Sequence, residues 1–306
     1  MTDFKSEVFV NNPKNNMKKF FRGLYYQLPI IKETKHAQNL IEKLAFIQQQ
    51  TISAEIAAYV QNLLNQERYK DQQRLSRYEH QVFSQSGEDG IIAEIFRRIG
   101  GPAKSFVEIG VGDGLENNTA FLLFQGGHGY WLDGAEQAVK RIKRTFQPEI
   151  EEKRLSVTEA LVTMENVDLT FQKLKIPAEF DLFSLDVDRN TYWIWKALSH
   201  LRPKAIVVEY NATIPPDVDW KVEYNADSSW DGTMYYGASL KALELLGKEL
   251  GYSLVGCSLS GVNAFFVRDD LCHNKFKEPF TAENHYEPPR YFIIRRESLP
   301  SSFRGV

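Results

Sequence analysis

Two groups of residues in this chain have types and spacings that could do chemistry. The first is Ser105-Phe-Val-Glu-Ile-Gly-Val-Gly-Asp-Gly114, an apolar run opening into three alternating glycines, Gly110, Gly112 and Gly114, flanked by Glu108 and Asp113. Asp133 closes a second apolar run 19 residues after Gly114. Glycines let backbone approach a ligand with no Cβ in the way, and an acid ending the next strand can accept two ribose hydroxyls. The pattern predicts a nucleoside-binding crevice. A dinucleotide pyrophosphate wants bare backbone N–H groups and is repelled by carboxylates, whereas a ligand carrying an ammonium and a sulfonium is favoured by them. The spacing Gly110-x-Gly112-x-Gly114 is also one residue short of the dinucleotide fingerprint. S-adenosylmethionine (SAM) fits better than NAD.

The second group lies at the ends of two later apolar runs: Asp186, Asp188 and Asn190, then Glu209 and Asn211. In open α/β sheets ligands bind outside the carboxyl ends of the strands, so acids there are candidates for chemistry. An alcohol becomes a good nucleophile by losing its proton to a base or by binding a hard cation. Two mechanisms are therefore open: Asp186 or Asp188 as general base, or Mg²⁺ or a similar divalent ion held by Asp186, Glu209 and Asn211. None of His80, His128, His200, His273 and His285 has a spaced partner that would make it the base.

The elements that must position these groups follow from periodicity. Apolar runs bounded by turn residues recur at about 129–133, 155–163, 180–186 and 205–210, separated by helix-length segments such as 135–146 and 192–201. After a further helix at 239–250, runs at 252–257 and 262–268 are joined by a short polar turn and read as a hairpin. Strands alternating with helices predict a mostly parallel, Rossmann-like sheet. Five β-α units closed by an antiparallel hairpin is the class I methyltransferase arrangement.

Several segments together resemble the FkbM-type SAM-dependent methyltransferase family and its relatives in bacterial glycan gene clusters. They are Ser84-Gln-Ser-Gly-Glu-Asp-Gly-Ile-Ile92, Phe106 to Gly114, Glu165-Asn-Val167, Phe180 to Asp188, Val208-Glu-Tyr-Asn211 and Tyr236-Gly-Ala-Ser239. The resemblance covers roughly residues 80–270. It implies SAM as methyl donor, O-methylation of a hydroxyl on a sugar or polyketide, and adenine contacts from Glu165 and Asn166. Where the family pattern has Asp-x-Asp-Gly-Asn, this chain reads Asp186-Val-Asp-Arg-Asn190, so Arg189 stands in place of a glycine. Gln85 and Glu88 are further cofactor candidates, with a helix cap at 86–89 as the competing structural reading. Asp133 likewise has a competing reading as a helix cap.

The stretch after the fifth apolar run places Trp220, Tyr224, Trp230, Tyr235 and Tyr236 among Asp217, Asp219, Asp227 and Asp231. Aromatic faces cover the C–H groups of a sugar while carboxylates take its hydroxyls, so Trp220, Trp230, Tyr235 and Tyr236 are the substrate candidates; packing anchors are the alternative.

With 306 residues, 43% hydrophobic, the chain can bury a full α/β core and an accessory segment. A net charge of −3 argues against a nucleic-acid partner. Two cysteines, Cys257 and Cys272, make neither a disulfide framework nor a metal motif, and a reducing cytoplasm is the expected home. Three parts are expected: an arm with amphipathic helices (1–78), the SAM-binding domain (79–270) and a C-terminal extension (271–306). Residues 1–35 hold seven Lys or Arg against three acids, with a basic and aromatic run at 17–26. That run is too short and too broken for export or a membrane span, leaving weak membrane-surface contact or packing as its uses. Leu40, Leu44, Ile47, Ile56, Tyr59 and Leu63 recur at helical spacing, as one long helix or a hairpin, and a homodimer is the favoured partner for that stripe.

Overall fold

A computed structural model describes residues 29–294, so the basic and aromatic run at 17–26 lies outside the described residues. The chain divides into two units after Gln61. In the first, a single helix, Pro29–Leu64, takes the place of the possible hairpin. The break in its apolar stripe is bridged locally, where the Thr51 hydroxyl donates to the Ile47 carbonyl at 3.0 Å. Leu40, Leu44, Ile47 and Tyr59 are exposed.

The second unit begins earlier than the boundary expected at residue 79, because residues 62–78 carry side chains that a core requires. Leu63, Tyr69 and Leu75 are buried, and Leu75 packs against Gly256. Glu287, from the C-terminal extension, holds this segment. Its carboxylate accepts from the Tyr69 hydroxyl at 2.7 Å and from Arg68 and Arg290 at 3.3 and 2.8 Å.

Seven strands form one sheet: β1 (Ser105–Ile109), β2 (His128–Asp133), β3 (Leu155–Glu159), β4 (Leu182–Leu185), β5 (Ala205–Glu209), β6 (Tyr252–Cys257) and β7 (Asn263–Arg268). Their order is β3-β2-β1-β4-β5-β7-β6; the first five are parallel, and β7 pairs antiparallel with both β5 and β6. This is the class I methyltransferase arrangement anticipated from the sequence, including the closing hairpin.

The strands are near-continuous apolar runs because helices cover both faces. On one face lie Val107, Ile109, Leu132, Phe183, Leu185, Ile206 and Val208; on the other lie Phe106, Trp131, Leu182, Ala205, Val207 and Phe265. Side chains alternate along a strand, so the second face dictates which residues reach the carboxyl edge. Continuing Phe106, Trp131, Leu182 and Ala205-Val207 by steps of two gives Glu108, Asp133, Ser184 with Asp186, and Glu209. The pleat alone brings these five polar residues to one face at one edge.

Candidate active site

Gly110 joins the two halves of this edge. It ends β1 with φ +82°, a conformation L side chains rarely adopt, and a Cβ there would lie 1.5 Å from the carbonyl oxygen of Asp186. The Asp186 amide in turn donates to the Ile109 carbonyl at 3.0 Å. Only a glycine permits this closeness. Gly112 (φ +63°) faces open space, and its amide donates to Asp133 Oδ2 at 2.8 Å. A Cβ on Gly114 would press on Trp131 and Phe146. The turn leads into a cleft of about 220 Å³ lined by Gln85, Glu108, Gly110, Gly112, Asp113 and Asp186, together with residues that sequence reasoning missed: Glu116, Asn117, Asn118 and Asn263. Larger hollows of about 390 and 450 Å³ open elsewhere, at the starts of β2 and β3 and beside β6. Neither includes the glycine turn or the acids at the carboxyl edge.

Glu108 does not offer a free carboxylate. It is buried and accepts five hydrogen bonds: from Asn117 Nδ2 (2.6 Å), the Asn118 amide (2.9 Å), the Thr119 amide (3.1 Å) and hydroxyl (2.5 Å), and Ser184 Oγ (2.9 Å). Parallel pairing of Glu108 with Ser184 makes the last one possible. Burial raises the pKa of Glu108, while its donors act in the opposite direction. The residue therefore shapes residues 115–119 into the cleft wall, presenting Asn117, whose Oδ1 is buried and unpartnered. The polar run Glu116-Asn117-Asn118 directly after the glycines was the available signal.

Asp133 bridges the turn and the following helix, Oδ2 accepting from Gly112 and Oδ1 from the Ala135 amide at 2.8 Å. The helix Glu136–Thr145 has Ala135 at its N-cap and no side-chain cap, so Asp133 closes a turn ahead of the helix and does not cap it; two of the carboxylate's roughly four lone pairs are occupied, which leaves room for the ribose reading. Asp113 accepts from the Leu115 amide at 3.1 Å and borders the cleft.

Three candidates have their polar atoms committed elsewhere. Glu88 is buried at the start of helix Glu88–Ile99, where it accepts from the Ser86 amide and from Asn263 Nδ2, both at 2.8 Å; Asn263, not Glu88, lines the cleft. The N-cap of that helix is Gly87, with no side-chain cap, so the cap read at 86–89 is absent; Ser84 and Asp89 exchange hydrogen bonds across the turn instead. Asn166 closes its own turn, accepting from the Thr163 amide and donating to the Leu161 carbonyl. Asn211 is buried; its Oδ1 accepts from the Thr213 amide and hydroxyl, and its Nδ2 donates to the carbonyls of Met234 and Tyr236. With both lone pairs of that oxygen occupied, Asn211 is not available as a metal ligand. Glu165 accepts a short hydrogen bond from the Tyr224 hydroxyl, tying the segment after β3 to the aromatic loop.

The carboxylates that do converge are Asp186, Asp188 and Glu209, with one oxygen of each within 4.8 Å of the others. Asp188 takes the place expected of Asn211. Burial, then the charge of Asp188, pushes the Asp186 carboxyl up to about 6. Burial and then Asp186 push Glu209 well above the usual carboxylate range. Glu209 Oε2 is buried without a partner. Such a cluster holds a proton between its members or a hard cation.

Above it sits the loop from 212 to 238. Trp220 packs edge-on to Tyr235 at 5.6 Å and Trp230 edge-on to Tyr236 at 6.3 Å, with Trp230 and Tyr235 about half exposed. The Tyr236 hydroxyl lies 3.1 Å from that of Tyr291, which the C-terminal extension contributes. Arg189 lays its guanidinium over Tyr235 at 4.9 Å. It meets the loop at the position where the sequence resemblance led to an expected glycine.

No family model matches the sequence, and a search of curated proteins finds no match. Among solved structures, the N-terminal domain of EvdMO1 in the presence of SAH and D-fucose is 16% identical over 57% of this chain and 76% of that one, with a TM-score of 0.37. A SAM-dependent methyltransferase from Aquifex aeolicus is 13% identical over 53% and 80%, with a TM-score of 0.32. The METTL16 MTase domain is 10% identical over 59% and 66%, with a TM-score of 0.39.

Proposed function

We propose that the protein is a SAM-dependent O-methyltransferase of the FkbM type, acting on a hydroxyl of a saccharide or other small polyol in glycan biosynthesis. One observation carries the reading: the glycine turn and the Asp186, Asp188 and Glu209 cluster meet at a single backbone contact, under an aromatic loop. Cofactor and acceptor sites are thus adjacent.

The residues fit the cofactor. Asp133 keeps lone pairs for ribose hydroxyls, Asn117 Oδ1 and Asp113 offer acceptors to an ammonium, and no Cβ on Gly112 obstructs the approach. Leu161 and Met164 are exposed apolar side chains after β3, with Leu161 against Gly134, suited to one face of a purine. SAM, when bound, supplies an electrophilic methyl carbon. Asp186 is placed to take the acceptor's hydroxyl proton, and a carboxyl poised near 6 is largely ionised at neutral pH. Trp220, Trp230, Tyr235 and Tyr236 cover the acceptor.

A second mechanism is favoured by the unpartnered Glu209 Oε2 and the spacing of the three carboxylates. Asp186, Asp188 and Glu209 would hold Mg²⁺ or a similar ion, which lowers the pKa of a bound hydroxyl. Chelation separates the two mechanisms, abolishing methyl transfer only in the second.

Calorimetry tests the cofactor assignment. The full chain is expected to bind S-adenosylhomocysteine and not NADH, and Asp133→Ala to weaken that binding by about 1.5–3 kcal/mol, as for hydrogen bonds to a charged acceptor. Tighter binding of NADH would replace this reading with an oxidoreductase. Cofactor binding with no transfer to any acceptor would indicate a scaffold protein that has lost catalysis.

A further inference from the structure

We propose that Arg189 is an acceptor-recognition residue that binds an anionic oxygen group, carboxylate or phosphate, so that the acceptor is an acidic saccharide. The inference rests on the reading of the aromatic loop as the acceptor site.

Arg189 follows Asp188 of the carboxylate cluster directly, and Asn190, next in the chain, ties the same turn to the aromatic loop by donating to the Asn225 carbonyl at 2.9 Å. The guanidinium rests on Tyr235, which packs on Trp220, so the cation is held at the edge of the aromatic platform. Its Nε is buried and has no partner. Among the described residues, the guanidinium makes no hydrogen bond and no ion pair. Other partly buried arginines of this chain are satisfied: Arg98 by Glu94 and three carbonyls, Arg290 by Glu287 and the Leu259 carbonyl, Arg268 by Asp270 and the Arg202 carbonyl.

A buried N–H without an acceptor costs free energy that an arriving acceptor recovers. Stacking fixes the guanidinium plane and leaves its edge to meet two oxygens at once, the geometry that suits carboxylate and phosphate. The Asp231 carboxylate accepts from the Thr233 amide and hydroxyl, which hold it below the usual range; the Arg189 charge is near enough to help, yet the two form no ion pair. Acids that take hydroxyls, an aromatic face that covers C–H groups and one unpaired cation together describe a sugar ring bearing an acidic substituent.

The test uses the full chain and matched probes, D-glucuronate and D-glucose 6-phosphate against D-glucose, and D-galacturonate against D-galactose, titrated by ligand-observed NMR. At least one acid is expected to bind about tenfold more tightly than its neutral parent, the effect of one charge-assisted pair. A preference for the uronates identifies a carboxylate, and one for the sugar phosphate identifies a phosphate. Arg189→Gln is expected to remove the preference while S-adenosylhomocysteine binding and melting temperature are retained. Acids binding no better than neutral parents in every pair, including the absence of any binding, overturn the inference, as does a preference that survives Arg189→Gln. An anion preference without S-adenosylhomocysteine binding would keep the anion site and remove the methyltransferase reading; the reverse result would do the opposite.

Discussion

Asp186→Asn is expected to lower methyl transfer by roughly 10²–10⁴-fold, the usual contribution of a positioned base, with S-adenosylhomocysteine affinity unchanged. The same substitution should stabilise the fold above neutral pH. Asp186 has a folded-state pKa of about 6, raised by burial and by Asp188 from an ordinary value near 4. A group raised on folding favours the folded state only while it is protonated, so its contribution is present below pH 4 and lost as pH rises through 6. Asparagine removes that loss. Melting temperatures of the two proteins should therefore separate between pH 4 and 7, with the variant higher at pH 8. Activity is read as S-adenosylhomocysteine release with an acceptor sugar. Full turnover in Asp186→Asn and in Asp188→Asn would refute both the base and the cation mechanisms, and a variant no more stable than the parent at pH 8 would show that burial and Asp188 do not raise the Asp186 carboxyl.

Gly110→Ala should cost about 3–5 kcal/mol, combining a left-handed backbone with a clash that cannot relax. The Cβ would sit 1.5 Å from the carbonyl oxygen of Asp186, the residue just after β4, whose own amide is bonded to Ile109 of β1, so the sheet edge itself has to move. Against a typical total stability of about 5–15 kcal/mol this is a severe loss. Gly112→Ala provides the comparison, because it shares the positive φ but meets nothing within 4 Å. Urea denaturation of both variants isolates the contact. Equal losses in the two would mean that the close approach between the turn and Asp186 is absent.

Much of this site could be read from the sequence because strand periodicity is a strong constraint. The order of apolar runs implies the sheet, and the position of Asp133, Asp186 and Glu209 at the ends of those runs puts them at its carboxyl edge; that they share one face emerges only once the faces of the sheet are seen. The errors fall where side-chain partners come from distant segments. Glu108 has the position of a ligand, yet Asn117, Asn118, Thr119 and Ser184 surround it, and nothing in the local pattern counts those donors. Asn211 stands two residues after Glu209, but it points to carbonyls more than 20 residues later. Glu88 pairs with Asn263 across 175 positions. Residues 62–78 read as part of an N-terminal arm, because the partners of Tyr69 and Leu75, Glu287 and Gly256, lie near the other end of the chain.

The aromatic loop is closed at its base. Asn211 fastens its own end to Met234 and Tyr236, the Asn211 amide donates to Ala238, Ser239 and Trp220 exchange hydrogen bonds, and Lys221 bridges to Ala238. The stem is complete without the stretch between Val222 and Thr233, whose first half is also tied down by Trp193 to Val222, Tyr224 to Glu165 and Asn190 to Asn225, leaving residues 226–233 as the tip. Loop closure has been met at the stem, so changing the length or composition of the tip adds little to the entropy of folding. If the loop covers the acceptor as proposed, the tip is a cassette where acceptor range can be diversified by randomisation or grafting, leaving the glycine turn and its carboxylates as a fixed chassis.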